Sequence, residues 1–213
     1  MRWECFELGP FDARCVVAWS EESRDAVVID PGFDAGTVIA WLRRNDLEVS
    51  SIVLTHAHLD HACGVADVRE SFAAARTLLH ADDLPLYHNM GMQATLFGFP
   101  EPGVVPEDGV IADGETITVG GERLVVRHAP GHSPGHIVLL DEAAAHPVAV
   151  VGDVLFAGSI GRTDLWGGSM ELLERSIRDV LYRLPRHTRV IPGHGPETTI
   201  GEEMDTNPFV AAR

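Results

Sequence analysis

The sequence has little cysteine, little positive charge and no long apolar run. Its three cysteines, Cys5, Cys15 and Cys63, are an odd number without a CxxC pair, which argues against a disulfide framework and fits a reducing cytosol. The 16 basic and 32 acidic residues give a formal net charge of −16, which would repel a phosphate backbone. No stretch approaches the roughly 18 apolar residues that a membrane-spanning helix needs. We therefore expect a soluble, cytoplasmic protein with neither a nucleic-acid nor a membrane partner.

The length and the apolar content favour a single domain. A chain of 213 residues that is 45% hydrophobic can bury one sizeable core. Residues 1–10 contain two glutamates and lack the apolar stretch of a secretory signal. We expect one domain over residues 1–213 that begins at Met1.

Short β-branched runs and helical patterns follow one another along the chain. The patterns predict helices over residues 34–44, 64–75 and 169–184, the last with Ser169 as N-cap. They predict strands at residues 27–30, 51–55, 116–119, 123–127, 136–140, 148–151 and 189–191. Such an order is typical of a layered α/β or α+β domain. The Pro- and Gly-rich residues 97–114 are expected to form a long loop, either an active-site lid or pocket wall or an ordinary surface loop.

The densest chemical signal directly follows the predicted strand 51–55. Four potential metal ligands lie within six residues there: His56, His58, Asp60 and His61. Packing does not explain this cluster, because histidine is mostly partly exposed and aspartate is almost never buried unpaired. Imidazole and carboxylate are the usual protein ligands of zinc, iron and manganese. The cluster therefore predicts a metal site.

Three later segments repeat the design of a strand that runs into a turn with a ligand residue. The ligand residues are His132, Asp153 and His194, each preceded by glycine. The ends of neighbouring strands meet at one edge of a sheet, so these side chains are expected to face one pocket. Because a tetrahedral site takes four ligands, a set of seven indicates two metal ions.

These residues closely resemble the metallo-β-lactamase superfamily, whose motif HxHxDH is present at residues 56–61. The resemblance covers nearly the whole chain. It implies a four-layer αββα sandwich with the metals at the edge between two sheets. It also implies that His56, His58 and His132 bind one ion, that Asp60, His61 and His194 bind the second, and that Asp153 bridges them.

Within the superfamily, the chain resembles the glyoxalase II-like thioesterases, particularly short bacterial members. The segments that carry this likeness are PGHSPGH at 130–136, GDVLFAG at 152–158, GRTD at 161–164, PGHG at 192–195 and TNP at 206–208. The chain ends at Arg213, and we expect it to lack the C-terminal helical domain that supplies glutathione-binding cations in full-length glyoxalase II.

The ligand set and the resemblance together predict a binuclear hydrolase. Two divalent ions, with zinc expected and iron or manganese as alternatives, would generate a bridging hydroxide that attacks an S-acylglutathione-type thioester. Asp60 and Asp153 would be catalytic as well as ligands. Other hypotheses remain open: a persulfide dioxygenase with one iron, a hydrolase of lactones, β-lactams or phosphodiesters, and a non-enzymatic metal or redox scaffold.

Three other residues near these motifs have two interpretations each. Arg162 could bind a substrate carboxylate, or it could form an internal ion pair with Asp164. Cys63 is expected to be a packing residue rather than a nucleophile. His136 is a candidate to orient a metal ligand from behind, or it is an ordinary hydrogen-bonded histidine.

Overall fold

The computed structural model describes residues 1–211, and its contacts divide the chain into two compact units. The first unit consists of Met1–Ile111 with Thr118–Arg123, and the second of Ala112–Ile117 with the chain from Leu124 onward. Each unit contains β-sheet and helices. Whether residues 1–213 form a single domain is not decided by this division, and the single domain stays a prediction.

The first unit is built on a six-stranded sheet in the order β1-β2-β3-β4-β5-β6. Its strands are β1 Arg2–Leu8, β2 Ala13–Trp19, β3 Asp25–Ile29, β4 Glu48–Val53, β5 Arg76–Leu79 and β6 Gly109–Val110. Its helices are α1 Ala35–Arg44, α2 Leu59–Ala62, α3 Val65–Ser71, α4 Leu84–His88 and α5 Met90–Phe97, with a 3₁₀ turn at Ala81–Asp83. Strands β3 to β6 are parallel, so their carboxyl ends lie at one edge of the sheet.

The core of the first unit lies where α1 and α3 cover this sheet. Val38 and Leu42 of α1 and Val68 of α3 are fully buried together with Val28 and Ile52 of the sheet. Such apolar burial contributes roughly 25 cal/mol per Å² and fixes the helices on the strands they connect. The turn after β4, which carries the HxHxDH motif, therefore begins at a rigid strand end.

The second six-stranded sheet has the order β14-β13-β10-β9-β8-β7. Its strands are β7 Thr116–Val119, β8 Glu122–His128, β9 Ile137–Asp141, β10 Val148–Gly152, β13 Arg189–Pro192 and β14 Thr198–Thr199, and a hairpin follows β10, made of β11 Leu155–Phe156 and β12 Ser159–Ile160. The helices are α6 Met170–Asp179 and α7 Ile200–Thr206, with a 3₁₀ turn at Leu181–Arg183. Parallel pairing of β10 with β13, and two antiparallel steps from β10 to β8, bring three carboxyl ends to one edge.

The structure confirms the predicted α/β class and the positions of its main elements. All seven predicted strands and all three predicted helices overlap observed ones, and Ser169 caps α6 by accepting a hydrogen bond from the Leu172 N–H. The predicted helix 64–75 ends earlier, at Ser71. The predicted loop 97–114 is irregular apart from the end of α5 and the two-residue strand β6. Within residues 1–211, every helix is too short or too polar to span a bilayer.

Candidate metal centre

The metal-binding motif of the first unit is held by Asp30, which sequence reasoning did not select. Asp30 follows β3 in a left-handed backbone conformation (φ 53°), which aspartate tolerates better than most residues. Its carboxylate accepts hydrogen bonds from the Thr55 N–H at 2.7 Å and the Thr55 hydroxyl at 2.6 Å. Nδ1 of His61 lies 3.2 Å from the same carboxylate. The parallel neighbours β3 and β4 thus join their carboxyl ends directly at the motif.

These bonds determine which imidazole nitrogens can bind a metal. The Thr55 hydroxyl donates to Asp30, so its oxygen accepts from Nδ1 of His56 at 3.1 Å. His61 likewise donates from Nδ1 to Asp30. In both imidazoles Nδ1 then carries a proton, which leaves Nε2 as the nitrogen able to bind a metal, the usual arrangement behind a metal-bound histidine.

Burial shapes the electrostatics of the HxHxDH motif. Asp30 is buried, and desolvation raises the pKa of its carboxyl above the ordinary value, while the hydrogen bonds from His61 and Thr55 act in the opposite direction. His56, His58 and His61 are at most 8% exposed, and the His56 ring lies 4.8 Å from the His58 ring and 4.3 Å from the His61 ring. Three imidazoles packed this closely form a nitrogen-rich cluster suited to a cation.

Asp60 is the more accessible carboxylate of the motif. Its side chain is 20% exposed, and its Oδ2 lies 3.6 Å from Nε2 of His61. Burial, followed by the charge of Asp60, raises the pKa of the nearby Cys63 thiol to about 12. Cys63 is therefore a protonated thiol at neutral pH, as expected for a packing residue and not for a nucleophile.

The second unit presents Asp153 between two histidines. Asp153 follows β10, His194 follows β13, and His132 follows β8 after a short turn. Oδ2 of Asp153 lies 3.5 Å from Nε2 of His132 and 3.6 Å from Nε2 of His194. These separations are long for hydrogen bonds, but ligands bound at about 2.1 Å around one tetrahedral ion lie about 3.4 Å from each other. The spacing thus fits a carboxylate that shares metal ions with both imidazoles.

His132 and Asp153 are each oriented by a contact from behind. Nδ1 of His132 lies 2.8 Å from the carbonyl oxygen of Arg162, which can only accept, so Nδ1 carries a proton and Nε2 is the nitrogen able to bind a metal. The Asp153 N–H donates to Nε2 of the fully buried His136 at 3.0 Å. His136 therefore contacts the backbone of an expected ligand residue, and its role in orienting a metal ligand stays a prediction.

The hairpin β11–β12 connects this cluster to the C-terminal helix. The Phe156 ring lies edge-on to the His194 ring at 6.2 Å. Glu203 of α7 accepts the Gly158 N–H at 2.9 Å, and Asn207 donates to the Ser159 carbonyl at 3.0 Å. The TNP segment thus supports the hairpin that packs against His194.

The side chain of Arg162 forms the ion pair that sequence reasoning offered as one alternative. Its guanidinium binds the Asp164 carboxylate through two hydrogen bonds, at 2.7 and 2.8 Å, and both side chains are exposed. This hydrogen bonding lowers the pKa of Asp164 to about 2. A substrate-binding role for Arg162 stays a prediction, because an exposed ion pair can open at little cost.

The seven expected ligand residues are divided between the two units. The first unit contributes His56, His58, Asp60 and His61, and the second contributes His132, Asp153 and His194. Imidazole and carboxylate donors fit zinc, iron or manganese by type. The supporting residues Asp30 and Glu203 were missed from the sequence, although an aspartate directly after a buried β-branched run, as in VVID, was a usable signal for the first.

Comparison with known proteins assigns the chain to the superfamily that its sequence motifs resemble. The profile of the Metallo-beta-lactamase superfamily matches residues 8–194. A relative from Haemophilus influenzae, Hydroxyacylglutathione hydrolase GloC, is 35% identical over 100% of both chains.

Three solved structures resemble the chain over nearly its whole length. The BLEG-1 B3 metallo-beta-lactamase is 39% identical, with a TM-score of 0.89 over 98% of this chain and 99% of that one. TTHA1623 in a di-iron-bound form is 38% identical, with a TM-score of 0.84 over 97% and 99%. ETHE1 from Myxococcus xanthus is 25% identical, with a TM-score of 0.82 over 100% and 86%. The chain belongs to the metallo-β-lactamase superfamily and has its fold.

Proposed function

We propose that the protein is a binuclear metal-dependent hydrolase of small S-acylglutathione-type thioesters. The observation that carries this proposal is the full-length likeness to a hydroxyacylglutathione hydrolase at 35% identity, combined with seven ligand residues in the superfamily's order. His56, His58 and His132 would hold one divalent ion, and Asp60, His61 and His194 the other, with Asp153 between them. We propose zinc as the metal, and the di-iron relative makes iron the first alternative.

The metals would supply one kind of chemistry, and the chain's own residues the rest. When bound, two ions polarise a substrate carbonyl as Lewis acids and lower the pKa of water toward neutrality. Asp60, whose carboxylate is partly exposed, would orient the attacking water and accept its proton. The water oxygen then bonds to the carbonyl carbon, the C–S bond breaks, and the sulfur leaves with the bonding electrons as a thiolate. A thiol has a pKa of about 8.5, so this departure needs no dedicated general acid.

Two further functions have relatives that favour them. The likeness to the BLEG-1 B3 metallo-beta-lactamase supports a β-lactam as substrate. The likeness to ETHE1 keeps the persulfide dioxygenase with one iron as a candidate. All three reactions use the same scaffold, so substrate turnover and metal content have to distinguish them.

The test is S-lactoylglutathione hydrolysis by metal-analysed protein, followed as release of free thiol. The variant His58→Ala removes one proposed ligand, and His187→Ala removes an exposed histidine outside the site. We expect turnover with about two metal ions per chain, loss of most turnover in His58→Ala, and wild-type behaviour in His187→Ala.

Other results would reject parts of the proposal. A dimetal protein that leaves S-lactoylglutathione intact but opens a β-lactam or a lactone would reject the thioester and keep the hydrolase. One iron per chain with oxygen consumption on glutathione persulfide would identify the dioxygenase. Equal metal content in His58→Ala and wild type would reject the ligand assignment itself.

A further inference from the structure

The HxHxDH segment depends on side chains from elsewhere for its backbone hydrogen bonds. Residues 54–58 lie between β4 and α2 and have no regular structure. Their peptide groups therefore cannot all pair within a ladder or a helix, and buried peptide groups rarely go without partners. The Leu59 N–H is the first of α2 and has no partner inside that helix.

Two side chains of the helical segment 81–97 bind these peptide groups. The Ala57 N–H donates to Oδ2 of the buried Asp83 at 3.0 Å. The Leu59 N–H donates to Oε1 of Gln93 at 3.0 Å, and Nε2 of Gln93 donates to the Ala57 carbonyl, also at 3.0 Å. The peptide groups on both sides of His58 are thus held by one amide side chain.

The orientation of the Gln93 amide is fixed by its surroundings. Nε2 also donates to the Leu86 carbonyl at 3.0 Å, so both of its hydrogens meet carbonyl oxygens. The reversed amide would place the oxygen against two carbonyls and the NH₂ against the Leu59 N–H. Only one orientation makes three bonds, and a side chain so constrained is well suited to hold a backbone in place.

The segment held by Gln93 alternates between core and site. The side chains of Ala57 and Leu59 are at most 2% exposed and belong to the apolar core of the first unit, whereas His56 before Ala57 and His58 after it are proposed metal ligands. A rotation of the 57–59 peptides would therefore turn both imidazoles away from their positions.

We propose that Gln93 is a positioning residue for metal binding, acting through the backbone of the HxHxDH segment. This proposal rests on the metal site of the proposed function. Gln93 itself touches neither substrate nor metal in this role. Its amide connects the metal-binding turn to α5, so the precision of the ligands depends on a helix that carries no ligand.

The test compares zinc retention in three proteins: wild type, Gln93→Met and Asn89→Ala. Methionine matches the length of glutamine but makes none of the three bonds. Asn89 is the control, because its amide lies in the same segment but donates to the Pro85 carbonyl within it. Zinc-loaded proteins are mixed with a chromophoric chelator, and the rate of zinc release is compared among the three proteins. The thermal midpoint of each metal-free protein is measured separately and shows how much the substitution destabilises the fold.

We expect Gln93→Met to release zinc about tenfold faster than wild type, within the range seen when groups that support metal ligands are lost. Asn89→Ala should release zinc at the wild-type rate even if its thermal midpoint falls equally. Hydrogen exchange of the 57–59 amides in the metal-free protein should also increase in Gln93→Met alone. Zinc release and amide exchange equal to those of Asn89→Ala would overturn the positioning role. A wild type that holds no zinc would instead defeat the metal site of the proposed function, and the two failures are thereby distinguished.

Discussion

Asp30 offers a sharp test of how the metal-binding motif is held. The substitution Asp30→Asn keeps the size of the side chain and suits the positive φ, because asparagine also tolerates the left-handed region. It changes the hydrogen-bonding capacity of the group and removes its ionisable carboxyl. Asp30 accepts from the Thr55 N–H and hydroxyl, and it faces Nδ1 of His61. An asparagine offers one acceptor oxygen and puts an NH₂ group where an acceptor is needed.

The expected cost follows from counting these donors. At least one of three buried donors loses its acceptor, which costs about 1–3 kcal/mol, and the bonds that remain lose the strength that a charged acceptor adds. The free energy of unfolding should therefore fall by about 2–4 kcal/mol. His61 also loses the group that sets its tautomer, so zinc affinity should fall by about 10–100-fold.

The assay is urea unfolding of the metal-free protein, together with zinc titration of the folded protein. Asp34→Asn is the matched control, since Asp34 is exposed, has φ 55° and makes no side-chain capping bond. We expect the control to stay within about 0.5 kcal/mol of wild type, as most surface substitutions do. If Asp30→Asn were as stable as Asp34→Asn and bound zinc as tightly as wild type, the supporting role of Asp30 would be refuted.

Three further outcomes are expected. Glu203→Gln should lower the free energy of unfolding by about 1–3 kcal/mol in urea titrations, because the buried carboxylate accepts hydrogen bonds from Gly158, Thr198 and Asn207. The control Glu202→Gln, at the exposed neighbouring residue, should leave the free energy of unfolding unchanged. Arg162→Gln should raise KM for S-lactoylglutathione with kcat nearly unchanged. The control Arg127→Gln, which removes another exposed ion pair, should leave KM unchanged. An unchanged KM in Arg162→Gln would leave Arg162 a purely structural partner of Asp164. Because the pKa of Cys63 is raised to about 12, its reactive thiolate is scarce below that pH. Mass spectrometry should therefore find Cys63 alkylated far more slowly in the native than in the unfolded protein. Equal rates would contradict the burial of this thiol.

The strands and ligand positions could be predicted because both are local features of the sequence. The apolar runs before His56, Asp153 and His194 mark buried strands, and a ligand directly after such a strand needs only one turn to reach the sheet edge. Other elements have no such local signature. Strand β1 alternates irregularly between polar and apolar residues, and α5 is apolar on most of its surface, so neither shows a clear period.

The supporting residues could not be predicted, because their partners are far away in the sequence. Asp30 binds Thr55 at a separation of 25 residues, and Gln93 binds Ala57 and Leu59 at separations of 36 and 34. Taken alone, Gln93 is an ordinary helix residue and Asp30 an ordinary residue at the end of a strand. Their roles follow from which strand ends and helices the fold places beside the metal-binding turn.

Two glycines are further examples of supporting residues that the sequence alone does not reveal. A Cβ on Gly32 would lie 1.7 Å from the carbonyl oxygen of Asp60, and a Cβ on Gly161 would lie 1.8 Å from that of Asp153. In each unit, therefore, the backbone of a proposed carboxylate ligand packs directly against a glycine, and any side chain there would displace that residue. The sequence identifies donor atoms by residue type, whereas here the absence of a side chain maintains the geometry. Accurate metal ligation thus depends on residues that contribute no ligand atom.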